Sequence, residues 1–236
     1  KPYDIYLLED ASHAVGARYL DKPVGDCSFS DAAVFSFHPV KIITSGEGGM
    51  VTTNNSSIAE RISLLRSHGI TKDPEKFEYP KQGPWSYEQQ ILGFNYRMTD
   101  LQAALGNSQL KRLDSIVLER NRLLQRYSLL FRELPVRLLS IPGECYSAVH
   151  LAVIILQHST PTFHRNIFEV LRSLGIGVQL HYSPVHLQPY YRRLGFSVGD
   201  FPNAELYGHT AISLPLYPGL TDVEQDRVIT SLQLSL

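Results

Sequence analysis

Cysteine is nearly absent. Cys27 and Cys145 are the only two in 236 residues, too few for a disulfide framework and in keeping with a reducing cytoplasm. Excess charge of either sign is missing too. The net charge is −1, with no basic or acidic block, which removes the general electrostatic case for nucleic acid or a membrane surface. An anionic ligand must therefore be held by local groups. Long hydrophobic runs are also lacking. The longest, Leu151–Leu156, falls far short of the roughly 20 residues that span a bilayer. There is no signal-peptide pattern, no internal repeat and no low-complexity segment. No initiator methionine opens the chain, which runs from Lys1-Pro2 straight into a strand pattern. We therefore expect the C-terminal part of a longer protein.

What is present is ordinary globular material, 43% apolar and 19% charged, enough for one large domain or two small ones. Ile5–Leu8 reads as a buried strand with Glu9-Asp10 at its carboxyl end, where ligands gather in α/β sheets. Ala17–Tyr19, Asp31–Phe37 and Met50–Thr53 read as further strands. Asn55 or Ser56 caps a helix to about Ser67, with Gly69 as its stop. Thr71–Gln90 is a polar surface excursion. Thr99 caps a long helical pattern that ends at Pro135 and is expected to break near Asp114. After it come a strand at Val149–Leu156, a helix from Pro161 to Gly175, and a strand at Val178–Leu180 that feeds His181-Tyr182. Short helices follow at Tyr190–Leu194 and Ala204–Ala211. Thr221 and Glu224 form a capping box for a last helix. The expected division is 1–114, part of a larger α/β domain with a mostly parallel sheet, and 115–236, a smaller α+β domain.

The chemistry concentrates around Asp31–Gly49. Lys41 stands alone between a buried strand and Gly46-Glu47-Gly48-Gly49, flanked by Phe37, Val40, Ile42 and Ile43. Desolvation frees a lysine lone pair for imine chemistry, although a lysine in a loop can equally snorkel to solvent. Asp10, His13, Ser36 and Lys41 gain meaning as an ordered set. An aspartate beside a heterocyclic nitrogen keeps it protonated, and a lysine holds the aldehyde carbon of the same ring, the working pair of pyridoxal phosphate chemistry. A hydroxyl such as Ser36 can bond the phosphate. Taken singly, each has a plainer reading as a turn cap, a loop histidine or a structural serine. His150, His158 and His164 are too scattered for a ligand set, and no metal is assigned.

EDASHAVGA (Glu9–Ala17), FSFHPVKIITSGEGG (Phe35–Gly49), RSHGI (Arg66–Ile70) and GFNYRMTDLQAALGNSQL (Gly93–Leu110) together resemble the DegT-type sugar-nucleotide aminotransferases. These are fold-type-I pyridoxal phosphate enzymes, and the resemblance covers essentially the whole chain. HPVKIITSGEGG, GVQLHYSPVHLQPYY (Gly177–Tyr191) and ISLPLYPGLT (Ile212–Thr221) are most similar to the branch of pseudaminic acid synthesis. That branch aminates C4 of a UDP-linked 4-keto-6-deoxy N-acetyl-hexosamine with glutamate as donor.

The resemblance implies that Lys41 bonds the cofactor and shuttles the proton. It implies that Asp10 pairs with the pyridine nitrogen, that His13 lies near the ring, and that Ser36 binds the phosphate. Asn95 would reach the cofactor phosphate of the neighbouring subunit in a homodimer, and Arg97 would meet the donor carboxylate. Gln179, His181 and Tyr182 would contribute to the sugar-nucleotide site. Asn95 and Arg97 could also be a loop cap and a surface charge. Family members carry a long segment before the strand that ends in Asp10, so this chain alone is expected to leave sheet edges uncovered and to bind cofactor poorly. Dehydratase relatives replace the lysine with histidine, and Lys41 argues against that chemistry. Two further functions compete with the transaminase. One is a non-catalytic relative that keeps the fold, and the other is a 4-aminotransferase for a perosamine- or aminoarabinose-type sugar.

Overall fold

The computed structural model describes residues 5–236, so Lys1-Pro2 lies outside it. In chain order the first elements are β1 (Leu8–Asp10), β2 (Arg18–Tyr19), β3 (Lys22–Pro23), β4 (Ala32–Ser36), β5 (Gly49–Thr52), α1 (Ser56–Leu65), β6 (Ile70–Thr71), β7 (Glu88–Gln89) and α2 (Asp100–Leu110). Then come α3 (Leu113–Leu130), β8 (Val136–Leu138), β9 (Cys145–Tyr146), β10 (Ala152–Leu156), α4 (Pro161–Ser173), α5 (Pro189–Arg192), α6 (Pro202–Gly208), β11 (Ala211–Leu214) and α7 (Asp222–Ser235). Two compact units result. One runs to Asp114 and takes back Glu144–Tyr146, and the other holds Ser115–Gly143 and Ser147–Leu236.

The first unit is built on a three-stranded sheet in the order β1-β4-β5. β1 and β4 are parallel, with Asp10 opposite Val34, whereas β4 and β5 are antiparallel, with Ser36 opposite Gly49. Ala32 and Ala33 are buried at 4% and 0% exposure, so β4 is the inner strand. β1 corrects the sequence reading. The strand is Leu8–Asp10 rather than Ile5–Leu8, and Ile5, Tyr6, Leu7 and Leu8 are all exposed. Hydrophobic residues bury only where a second layer covers them, and β1 pairs with β4 on one side only. Neither α1 nor α2 buries a side chain. Caps set their ends instead. Asn55 accepts from the backbone of Ser57 and Ile58, and Thr99 and Gln102 form a reciprocal capping box. Glu144–Tyr146 returns to this unit because β9 pairs with β2.

The second unit has a full core. Its antiparallel sheet runs β11-β10-β8, with Ile154 opposite both Ile212 and Leu138. α4 presents Ile167 and Leu171, one turn apart on one face, and both are wholly buried. They join Leu123 and Tyr127 of α3, Ile154 and Leu156 of β10, Val178, Ile212 and Leu232. At about 1.5–3 kcal/mol for each fully buried large apolar side chain, this cluster is the main source of the unit's stability. The long helical pattern is two helices, broken at Lys111-Arg112, a little before the expected Asp114. Val178–Leu180 forms a single bridge, Gln179 to Ser213, rather than a strand. The helix expected over Ala204–Ala211 ends at Gly208, and Ala211 starts β11. The Thr221–Glu224 capping box is present. No helix among the described residues is long and apolar enough to cross a membrane.

Candidate active site

β1 and β4 run parallel, so their carboxyl ends lie together at one edge of the sheet. Asp10 is the last residue of β1 and Ser36 the last of β4. The backbone N–H of Ala11 donates to Val34 O at 2.9 Å and locks the turn after β1 to β4. Asp10 Oδ1 accepts from both the hydroxyl and the backbone N–H of Ser12. These two bonds, helped by the nearby charges of His13 and Lys41, hold the Asp10 carboxyl below its ordinary value. Ser36 Oγ accepts from the His38 backbone at 3.4 Å, at the start of the loop that carries Lys41.

That loop is held by hydrogen bonds rather than by burial alone. Phe37 N donates to Gly48 O at 2.8 Å, and Phe37 O receives Ser45 N at 3.0 Å and Thr44 Oγ1 at 3.0 Å. Ser45, 1% exposed, donates its hydroxyl to Glu47 O at 2.7 Å. At Gly48, where φ is +151°, an added Cβ would lie 2.6 Å from Ser45 Oγ, so glycine is required by the tightness of this loop. Lys41 N donates to His38 O at 2.9 Å, and the side chain is half-buried. The apolar surroundings expected for Lys41 are only half there. Ile42 and Ile43 are buried at 5% and 3%, but Val40 is 61% exposed, because the turn points it away from the sheet.

Asn95 and Arg97 lie on the exposed stretch before α2. Arg97 Nη2 donates to Asn95 Oδ1 at 3.4 Å, and Asn95 bridges to Ser67 by its backbone. The two side chains form a pair.

In the second unit, Gln179 is exposed and its backbone exchanges two hydrogen bonds with Ser213, at 3.1 and 2.8 Å. His181 Nδ1 lies 2.8 Å from Ser213 Oγ. Tyr182 is 66% exposed and stands edge-on to the His181 ring, with centroids 4.8 Å apart. His186 and Glu205, 2.9 Å apart, fasten the following loop, where Glu205 also accepts from Gly199 N at 2.7 Å. His164, far from any ligand role, bonds Ala211 O at 2.9 Å.

Two residues that sequence reasoning passed over enter here. Ser12 was legible, since a serine two residues after an aspartate is a common local hydrogen-bond pattern. Ser213 was not, being 32 residues from His181 with no local signal to link them.

Comparison with known proteins fits this geometry. The chain is 37% identical to the Bacillus subtilis spore coat polysaccharide biosynthesis protein SpsC over 98% of its length. Among solved structures it resembles Streptococcus pneumoniae Spr1654 in its PMP form, with TM-score 0.90 and 30% identity, covering 98% of this chain and 59% of that one. It also resembles Helicobacter pylori PseC, an aminotransferase involved in the biosynthesis of pseudoaminic acid, with TM-score 0.88, 33% identity and the same two coverages. The chain spans about 60% of the length of the curated relatives it matches. Residues 1–233 match one family throughout, and with it the mixed α/β fold of those structures. The chain belongs to the DegT/DnrJ/EryC1/StrS aminotransferase family.

Proposed function

We propose that the protein carrying this chain transfers the amino group of glutamate to C4 of a nucleotide-linked 4-keto-6-deoxy sugar, using pyridoxal phosphate. The observation that carries this reading is that Asp10 and Ser36 end two paired parallel strands, with His13 in the turn after the first and Lys41 in the loop after the second. That donor set fits the cofactor. It offers a carboxylate held ionised, a primary amine and a hydroxyl, the three chemistries that a pyridine nitrogen, an aldehyde and a phosphate require. The PMP and PLP forms of Spr1654 support the same cofactor. In this reading residues 1–114 are part of the cofactor domain and 115–236 the smaller domain.

Pyridoxal phosphate, when bound, supplies an electron sink that lets an amino group leave one carbon and join another. Asp10 would face the ring nitrogen, and its carboxylate, held below the ordinary value chiefly by Ser12, would favour the protonated nitrogen. His13 would lie near the ring, and Ser36 would donate to the phosphate. Lys41 Nζ would hold the cofactor's aldehyde carbon and, as the one amine of the set, would carry the proton between the donor's α-carbon and C4 of the sugar. Asn95 would reach the cofactor phosphate of a partner subunit, with the paired Arg97 turned to the donor carboxylate. Gln179, His181 and Tyr182 would meet the sugar nucleotide.

The likeness to PseC supports a UDP-linked N-acetyl-hexosamine as the acceptor, and the likeness to SpsC favours a second reading, in which another 4-keto sugar of a surface polysaccharide is aminated. The test is to incubate the full-length gene product with pyridoxal phosphate and glutamate and measure 2-oxoglutarate release. A panel of UDP- and GDP-linked 4-keto sugars then separates the acceptors. Cofactor binding with no release of 2-oxoglutarate from glutamate, nor of the corresponding 2-oxo acid from any other amino donor tried, would overturn the reading.

A further inference from the structure

We infer that Ser213 is a positioning residue that fixes the tautomer and ring orientation of His181, and with them the donor that His181 offers to the sugar nucleotide. The inference rests on the reading of His181 as a sugar-facing residue. Ser213 is the third residue of β11 and is 5% exposed. Its hydroxyl makes one side-chain hydrogen bond among the described residues, the 2.8 Å contact with His181 Nδ1. A buried hydroxyl that donates to nothing is costly. The Ser213 proton therefore goes to Nδ1, which must be the bare nitrogen of a neutral imidazole, and the ring proton sits on Nε2.

The backbone reinforces the arrangement. Ser213 N donates to Gln179 O at 2.8 Å, and Gln179 N donates to Ser213 O at 3.1 Å. Two of the three residues assigned to the sugar are thus tied to one buried serine. Gln179 is held by the main chain of Ser213, and His181 by its side chain. Ser213 itself is held on both sides, paired with Val153 of β10 and bridged to Gln179. The anchor is therefore rigid, which is what a group that sets another's direction requires. Ser213 acts only through His181 and Gln179. The backbone bonds survive any side-chain change, so the side chain controls His181 alone.

The experiment uses the full-length holoenzyme with Ser213→Ala, Ser213→Thr and His181→Ala. Nitrogen-15 NMR of histidine-labelled protein reads the His181 tautomer, and steady-state kinetics read the sugar and glutamate halves separately. Ser213→Ala is expected to shift His181 away from the Nε2–H form and to lower kcat/KM for the sugar about tenfold. Release of 2-oxoglutarate in the glutamate half-reaction is expected to stay within about twofold of wild type, since a misplaced sugar contact does not touch that step. Ser213→Thr keeps the hydroxyl and restores both readouts. An unchanged tautomer in Ser213→Ala overturns the inference, whatever the kinetics. So does normal sugar kinetics in Ser213→Ala when His181→Ala is impaired. If His181→Ala leaves sugar kinetics intact, the sugar-facing reading of His181 falls, and with it any role of Ser213 in recognition. The tautomer measurement then still decides whether Ser213 sets the ring.

Discussion

Gln225, on α7, is wholly buried and donates Nε2 to Leu123 O of α3 at 2.8 Å. Its Oε1 accepts from Arg126 Nη1 at 3.3 Å. An amide in the middle of an apolar cluster is tolerated only because both of its ends are satisfied. Gln225→Met keeps the bulk and removes both bonds, leaving Leu123 O with only the intrahelical bond of α3 and Arg126 without its amide acceptor. We expect a loss of about 0.5–1.5 kcal/mol for each bond removed, read as a lower midpoint in urea unfolding of the full-length protein, and an unchanged midpoint would show that the two bonds contribute nothing net.

Gly69 closes α1. Its φ is +69°, its N–H donates to Leu64 O at 2.7 Å, and an added Cβ would come within 1.8 Å of Ile91 O. Both the left-handed backbone and the close approach demand glycine. Gly69→Ala should cost at least about 1–3 kcal/mol, read as a lower Tm. Gly143→Ala, where a Cβ meets nothing within 4 Å, is the control and should leave Tm nearly in place.

Asp10 gives a pH prediction with a definite sign. Its folded carboxyl value lies below the ordinary 3.8, first because of the Ser12 hydroxyl and then the Ser12 backbone. A depressed carboxyl contributes stability that is present above 3.8 and lost as pH falls through the folded value. Ser12→Ala removes the largest cause and raises the folded value toward 3.8. The acid-unfolding midpoint of the variant should therefore move to higher pH, while stability at neutral pH falls only slightly for so exposed a group.

Lys41 tests the proposed chemistry directly. Lys41→Ala should lower 2-oxoglutarate release by about a thousandfold or more, since the nucleophile and the proton carrier vanish together. Lys41→Arg should fail equally, because a guanidinium neither bonds an aldehyde nor gives up its proton near neutral pH. Circular dichroism matching wild type would show that the fold is intact. Activity within tenfold of wild type in either variant would remove Lys41 from the mechanism.

Much of this was legible in the sequence wherever a local rule decided the outcome. Thr99 with Gln102, Thr221 with Glu224, and Asn55 each cap the helix that follows, as their side chains dictate. The sequence also placed Asp10 and Ser36 at the carboxyl ends of strands, and both do end strands that pair in parallel. The failures share one physical cause. Ile5–Leu8 has the composition of a buried strand, yet burial depends on what covers it, which no local pattern encodes. Ala204–Ala211 looked helical throughout, but pairing with Ala152–Leu156 claims Ala211–Leu214 as a strand, a tertiary demand that overrides propensity. Ser213 escaped for the same reason as β11, since its partner is set by the sheet and not by the neighbouring residues.

The wiring of the second unit has a consequence for how it is made. Its central strand β10 bonds to β8, about 18 residues earlier, and to β11, about 58 residues later, while α3 is tied to α7 across roughly 100 residues by Arg122–Asp222, Arg126–Asp226 and Gln225–Leu123. Contacts between distant parts of a chain form late. During synthesis, the ties from α3 to α7 therefore cannot form until residues 222–235 have left the ribosome. A nonsense codon shortly before α7 would remove Val228, Ile229 and Leu232 from the core cluster and make the product a substrate for chaperones and proteases, with the Lys41 loop itself untouched.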